Sequence, residues 1–146
     1  MINETMLKFG FPGSLIREYE HWVVLLRPAQ VSLGSLVLVA KGDETAFGQL
    51  PPGAHSELAR ITKEIEATLK IEVGYDKINY LMLMMVDPNV HFHVFPRYEG
   101  LRTIEEVTIG DSGWPGPPDL KSAPDLGPEA LDRLRSRFSG NWLTNC

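Results

Sequence analysis

Asp87-Pro88-Asn89-Val90-His91-Phe92-His93-Val94-Phe95-Pro96-Arg97-Tyr98 is the stretch on which the reading of this chain turns. It follows a run without a charged side chain, Ile78 to Val86, and it sets two of the four histidines two residues apart. Side chains alternate between the faces of a strand, so Asn89, His91, His93 and Phe95 fall on one face and Val90, Phe92 and Val94 on the other. Two imidazoles on one face, backed by a hydrophobic one, make a rigid platform for chemistry. Val86-Asp87-Pro88-Asn89 has the turn-favouring residues of a short hairpin connection, which predicts that a strand from Val90 to Phe95 runs antiparallel to Asn79–Met85.

The pattern upstream suits more strands. Leu15–Tyr19 and His21–Leu26 read as two, the second buried on both sides. Arg27-Pro28-Ala29-Gln30 ends the ladder, because Pro28 has no amide hydrogen to donate. After Gly34, Ser35–Ala40 forms a further strand, close enough to pair with the previous one as a hairpin. A polar link from Lys41 to Gly53 leads to a helix over residues 54–70, with Pro52 suited to its first position. Leu58, Ile61, Ile65 and Leu69 give that helix one apolar stripe, which predicts that it covers one side of a sheet. His55, in its first turn, reads as a surface residue. Gly74 stops the helix, and Lys77–Met85 is the strand leading into the histidines, with Met82, Met84 and Met85 as adaptable core filling.

The two ends are less patterned. The first ten to fifteen residues carry no clear period, and Phe11-Pro12-Gly13-Ser14 reads as a turn. Beyond Tyr98, Trp114-Pro115-Gly116-Pro117-Pro118 is expected to be extended and anchored by Trp114. A short helix from Pro128 to Phe138 has Leu131, Leu134 and Phe138 on one side, while Arg133, Arg135 and Arg137 read as a solvated face. The expected organisation is a domain over residues 1–100 and an extension over 101–146, packed on that domain or on a partner subunit.

Composition sets outer limits. At 146 residues, one domain with a real core suffices. The apolar fraction of 43% is ordinary, and no apolar run approaches the length of a membrane span, so no membrane partner is expected. The N-terminus lacks the basic and apolar regions of a signal peptide, which predicts a cytoplasmic protein. A net charge of −5 argues against a general nucleic-acid binder, since phosphate-backbone affinity comes from clustered Lys and Arg. It leaves room for a small phosphate ligand, which needs only a few placed donors. The single cysteine, Cys146, excludes a disulfide framework within the chain and reads as a frayed terminal thiol.

Three readings compete for His91 and His93. They are hydrogen-bonded histidines with a structural role, or two ligands of a metal whose further ligands would come from Asp87, His21 or His55. In the third reading a neutral imidazole attacks an electrophile while its neighbour stabilises the charge that develops. The pair alone does not choose among them.

The residues around the pair extend the reading. Asn89-Val90-His91-Phe92-His93-Val94-Phe95-Pro96-Arg97 resembles the signature of the histidine triad family of nucleotide hydrolases and transferases, in which histidines alternate with apolar residues on a strand. Leu33-Gly34-Ser35-Leu36-Val37-Leu38-Val39 looks like the Gly-x-apolar strand of the same family, and the resemblance runs from about Leu15 to Tyr98. The stretch Asn79–Tyr98 looks most like bacterial members with a shortened connection before the motif. The resemblance implies an α+β fold, an antiparallel sheet of about five strands with one long helix packed on it and a C-terminal extension, assembled as a homodimer with a continuous sheet.

It also implies a chemistry that needs neither cofactor nor metal. His91 would attack the α-phosphorus of a nucleotide substrate, a dinucleoside polyphosphate or a nucleoside phosphoramidate, and form a nucleotidyl-histidine that water then releases. His93 would hydrogen-bond a phosphate oxygen or the bridging atom. Asn89 stands where the first histidine of the triad is expected, so the triad reads Asn-His-His, and an amide cannot titrate near neutrality. If a missing imidazole limits catalysis, Asn89→His should raise turnover. Ser35, Arg27 and Gln30 fall where substrate would be bound. Ser35 stands in place of a further histidine, and Arg27 in place of an Asp or Asn that holds ribose hydroxyls, where a guanidinium could instead bind phosphate. A nucleotide-binding or scaffold protein with little catalysis is the alternative from another functional class.

Overall fold

The computed structural model describes residues 1–144; Cys146, read above as a frayed thiol, lies outside them. Five strands form one fully antiparallel sheet: β1 (Leu15–Glu18), β2 (Trp22–Leu26), β3 (Leu36–Ala40), β4 (Lys77–Leu81) and β5 (His91–Arg97), in the spatial order β1-β2-β3-β5-β4. The histidine strand is therefore not at an edge. It lies between β3 and β4, with Val39 opposite His91 and with Val37 and Leu81 opposite His93.

Each face of the sheet has its own cover. On one, Trp22, Val24, Leu26, Leu36, Leu38, Ala40 and Val94 pack under a long helix, α2 (Pro52–Glu72), through Ile61, Ile65 and Leu69. Pro52 opens that helix, where its missing N–H costs nothing, and Gly74 ends it at φ 67°, a left-handed value that glycine adopts freely. On the other face, Val23, Leu25, Val37 and Val39 are covered by Met6, Phe9 and Phe11. Those residues belong to the unpatterned N-terminus, which folds as a one-turn helix, α1 (Glu4–Lys8). It is capped by Asn3, whose side chain accepts from the Met6 N–H. The same amide donates to Ala40 O and Gly42 O, both at 2.7 Å, and so ties α1 to the end of β3.

Several sequence expectations are corrected. The strand expected over residues 77–85 stops at Leu81, because Met84 takes φ 53°, which extended backbone cannot contain. The short hairpin connection thus becomes an irregular loop over residues 82–90. Met82 and Met84 still pack partly on the core, but Met85 is 85% exposed and fills nothing. The segment Trp114–Pro118 is folded into turns rather than extended: Trp114 N donates to Asp111 O and Gly116 N to Gly113 O. A hairpin unforeseen from the sequence, β6 (Leu101–Ile104) and β7 (Val107–Gly110), follows β5, and a last helix, α3 (Pro128–Gly140), follows that.

The residues beyond 100 join the helix-side core through Ile104, Val107, Ile109, Leu134, Phe138 and Trp142. Trp142 Nε1 donates to Tyr19 OH at 2.9 Å, and Tyr19 OH donates to the buried Glu64 of α2 at 2.7 Å. Arg137, read as solvated, donates to Glu72 and Glu105, both at 3.1 Å. Among the described residues no helix is long and apolar enough to cross a membrane.

Candidate active site

Strand alternation puts His91, His93 and Phe95 on the sheet face covered by α1, opposite the face covered by α2. Phe9 sits over the pair, its ring centroid 5.9 Å from His91 and 5.6 Å from His93. Only 2% of His91 and 7% of His93 is exposed. The two imidazoles lie 5.1 Å apart with their planes at 84°, and Phe95 stacks on His93 at 6.1 Å.

Hydrogen bonds fix a different tautomer on each ring. His91 Nδ1 lies 2.7 Å from Asn89 O. A carbonyl only accepts, so Nδ1 carries the hydrogen and Nε2 of the neutral ring keeps its lone pair. His93 Nδ1 accepts from Arg27 Nε at 3.3 Å, because a guanidinium only donates; its Nε2 therefore carries the hydrogen. One ring presents a nucleophilic nitrogen and its neighbour a hydrogen-bond donor. His93 is also held neutral at ordinary pH. Burial first, then the charge of Arg27 and the nearness of His91, push its pKa down to about 4, while Asp87 acts weakly the other way.

The remaining sequence candidates are placed as follows. Asn89 precedes β5, and its side chain turns to α1 rather than to the histidines: Oδ1 accepts from Thr5 N at 3.1 Å, and Asn89 N donates to Thr5 Oγ1 at 3.0 Å. What Asn89 contributes to the pair is its backbone carbonyl. Ser35 is fully buried within the 30–35 loop, its Oγ donating to Ser32 O at 2.6 Å and accepting from Ser32 N at 3.1 Å. Gln30, equally buried, donates to Arg27 O at 2.7 Å and to Ser35 O at 2.8 Å and accepts from Gly34 N at 2.8 Å. Gly34 is required there: at φ 94°, a Cβ would lie 2.9 Å from Val73 Cγ2. Arg27 alone of these three reaches the histidines. His21 abuts Gly53 at the start of α2, and His55 packs edge-on against Phe47 at 4.8 Å. Among the described residues no three His, Cys, Asp or Glu side chains are grouped to hold a metal.

Thr5 and Phe9 are the site neighbours that sequence reasoning missed. They lie about eighty residues from the motif in a stretch without periodicity, and no spacing rule connects them to it. The Thr5–Asn89 exchange gives a direct test. Asn89→Ala leaves the buried Thr5 N–H without an acceptor and is expected to lower stability by about 1–3 kcal/mol in urea unfolding, while Asn89→Asp, which keeps an acceptor oxygen, stays closer to wild type. Asn89→His replaces the amide oxygen by a larger ring whose acceptor nitrogen is placed differently, so the turnover gain expected from the sequence would be accompanied by a loss of stability.

No protein-family model matches the sequence, and no curated protein matches it significantly. Solved structures match throughout the chain. A histidine triad protein from Sinorhizobium meliloti superposes with a TM-score of 0.74 at 24% identity, over 97% of this chain and 96% of that one. One from Marinobacter aquaeolei gives 0.74 at 19% identity, over 97% and 95%. A hypothetical histidine triad nucleotide-binding protein from Sulfolobus tokodaii gives 0.69 at 19% identity, over 94% and 88%. At these identities the likeness is one of fold.

Proposed function

We infer that this chain, whose fold is that of the histidine triad proteins, is a nucleotide hydrolase or nucleotidyl transferase acting at a nucleoside α-phosphate through His91. The carrying observation is the pair of hydrogen bonds, His91 Nδ1 with Asn89 O and Arg27 Nε to His93 Nδ1, which together leave a lone pair at His91 Nε2 and an N–H at His93 Nε2 on a stiff central strand. In the reaction this supports, His91 Nε2 attacks the α-phosphorus as the bond to the leaving group breaks, and the leaving atom takes up a proton from solvent. His93 Nε2–H donates to a phosphate oxygen or to the bridging atom. Water then attacks the phosphorus, the nitrogen–phosphorus bond breaks, and a nucleoside monophosphate leaves with His91 restored. Phosphoryl transfer of this kind asks the protein mainly for positioning and charge stabilisation.

Dinucleoside polyphosphates and nucleoside phosphoramidates are the substrate classes we assign. The Sulfolobus tokodaii neighbour, a hypothetical nucleotide-binding protein, agrees with a nucleotide ligand. By the same likeness we read the protein as a homodimer. The test is intact-mass measurement after brief exposure to a substrate of each class, quenched in alkaline denaturant. A nucleotidyl adduct on His91 is the expected result. No adduct and no monophosphate release across both classes would overturn the reaction.

The burial of both imidazoles under Phe9 favours one second reading, a nucleotide-binding protein with little turnover. Tight monophosphate binding without product release is its signature.

A further inference from the structure

The loop that returns β2 to β3 also sets the state of a histidine. Arg27 leaves β2 on the same face as Leu25, which aims it across the sheet toward β5. Three contacts hold the guanidinium: Nη1 donates to Ala29 O at 2.7 Å, the group lies 5.4 Å from the Phe95 ring centroid, and Nε donates to His93 Nδ1 at 3.3 Å. Its backbone is fixed as well, since Arg27 N donates to Ser35 O at 3.0 Å and Arg27 O accepts from the buried Gln30 at 2.7 Å. Ser35 and Gln30, expected from the sequence to bind substrate, instead hydrogen-bond the backbone of Arg27.

We propose that Arg27 is a positioning residue for His93, locking it as the Nε2–H tautomer and placing a permanent positive charge behind the ring that strengthens this N–H as a donor to the reacting phosphate. The proposal rests on the reading of His93 as the phosphate partner. Hydrogen bonds in a chain polarise one another, so a donation into Nδ1 makes the Nε2 hydrogen more positive. Protonating His93 would strengthen its donor too, but would set a second cation against Arg27. A guanidinium does not titrate at working pH, so the donor keeps its strength without a proton that comes and goes.

The groups facing His93 are few. Arg27 approaches from the end of β2, His91 from β5 and Asp87 from the 82–90 loop. Opposite His93 across the sheet are the apolar Val37 and Leu81. α1 presents Phe9, and its Lys8 pairs with Asp87 at 3.7 Å. Removing Arg27 takes away one of the causes that hold the ring neutral, so the midpoint must rise toward the ordinary value near 6.5.

The experiment is nitrogen-15 imidazole NMR on the full chain from pH 4 to 8, without substrate, with His93 identified by its absence in His93→Gln. Wild type is expected to show a neutral Nε2–H His93 down to about pH 5. Arg27→Met raises the midpoint by about one unit and mixes the tautomers, while Arg27→Lys, which keeps the charge, holds the midpoint low. In turnover of a nucleoside phosphoramidate near pH 7, the Met variant loses about 10- to 100-fold in kcat with a smaller change in KM. Should the Met variant not fold, Arg27→Gln serves: the tautomer persists, because an amide N–H can still donate, and the midpoint rises. An unchanged His93 midpoint in a folded Met or Gln variant would overturn the proposal. The NMR result stands whether or not an adduct forms on His91, so failure of the coupling and failure of the reaction are told apart.

Discussion

His91→Ala is expected to lower turnover of a dinucleoside polyphosphate or nucleoside phosphoramidate by about 10⁴-fold or more, a loss of some 5 kcal/mol of transition-state stabilisation. The size follows from the role: a covalent route has no first step without its nucleophile, and what survives is binding and charge stabilisation of a direct attack by water. The effect should fall on kcat, with KM moving little, because the deleted group touches the substrate's reacting atom rather than its handle. Stability should fall too, since His91 is buried against Phe9, so the variant is to be compared at a temperature where circular dichroism shows both proteins folded. His91→Gln keeps much of the volume and is equally unable to form a nucleotidyl-histidine. Activity retained in both variants would rule out attack by His91, whatever the substrate. His93→Ala is expected to act differently, slowing the reaction without preventing an adduct.

The second large effect is structural. Arg97, the last residue of β5, donates from Nε to Asp111 Oδ2 at 2.7 Å and from Nη2 to Asp111 Oδ1 at 3.1 Å, with both side chains almost wholly buried. Asn79 Oδ1 and Gly116 O take further donations from the same guanidinium at 2.8 Å, and Tyr98 N donates to Asp111 at 3.3 Å. This one pair joins the histidine strand to the end of β7 and to the Trp114 turn. Asp111→Ala leaves a buried, uncompensated guanidinium and is expected to cost about 3–5 kcal/mol, measured by denaturant unfolding. A buried pair is often matched in stability by apolar residues of the same volume, so Arg97→Met with Asp111→Leu should recover part of that loss. If Asp111→Ala unfolds within 1 kcal/mol of wild type, the pair does not anchor the segment.

Much of the architecture was legible because it rests on period and punctuation. Apolar runs bounded by Pro28, Gly34, Pro52 and Gly74 gave β2, β3 and α2 close to their observed limits. The β6–β7 hairpin was hidden by its turn. Glu105 and Glu106 occupy two successive left-handed positions, φ 50° and 66°, where Asn-Gly is the usual signal. Two glutamates carry no such signal; one of them instead accepts from Arg137 of α3, a contact that depends on residues 32 positions away. The end of β4 was missed for a related reason, since nothing about methionine announces the left-handed backbone at Met84.

By itself the sequence determined the sheet, its helix, and the presence of His91 and His93 on one face, because alternation along a strand is a property of the local chain. Tertiary structure alone decided what each imbalance of charge and hydrogen around those rings would be. The carbonyl of Asn89 sets the His91 tautomer and Arg27 sets that of His93, while Thr5 and Phe9 arrive from the N-terminus to hold and cover the pair. Tautomer and protonation depend on which donors and acceptors lie within about 3 Å; the Asn89 carbonyl is only two residues from His91, but Arg27, Thr5 and Phe9 come from far along the chain and meet the pair only when the sheet closes.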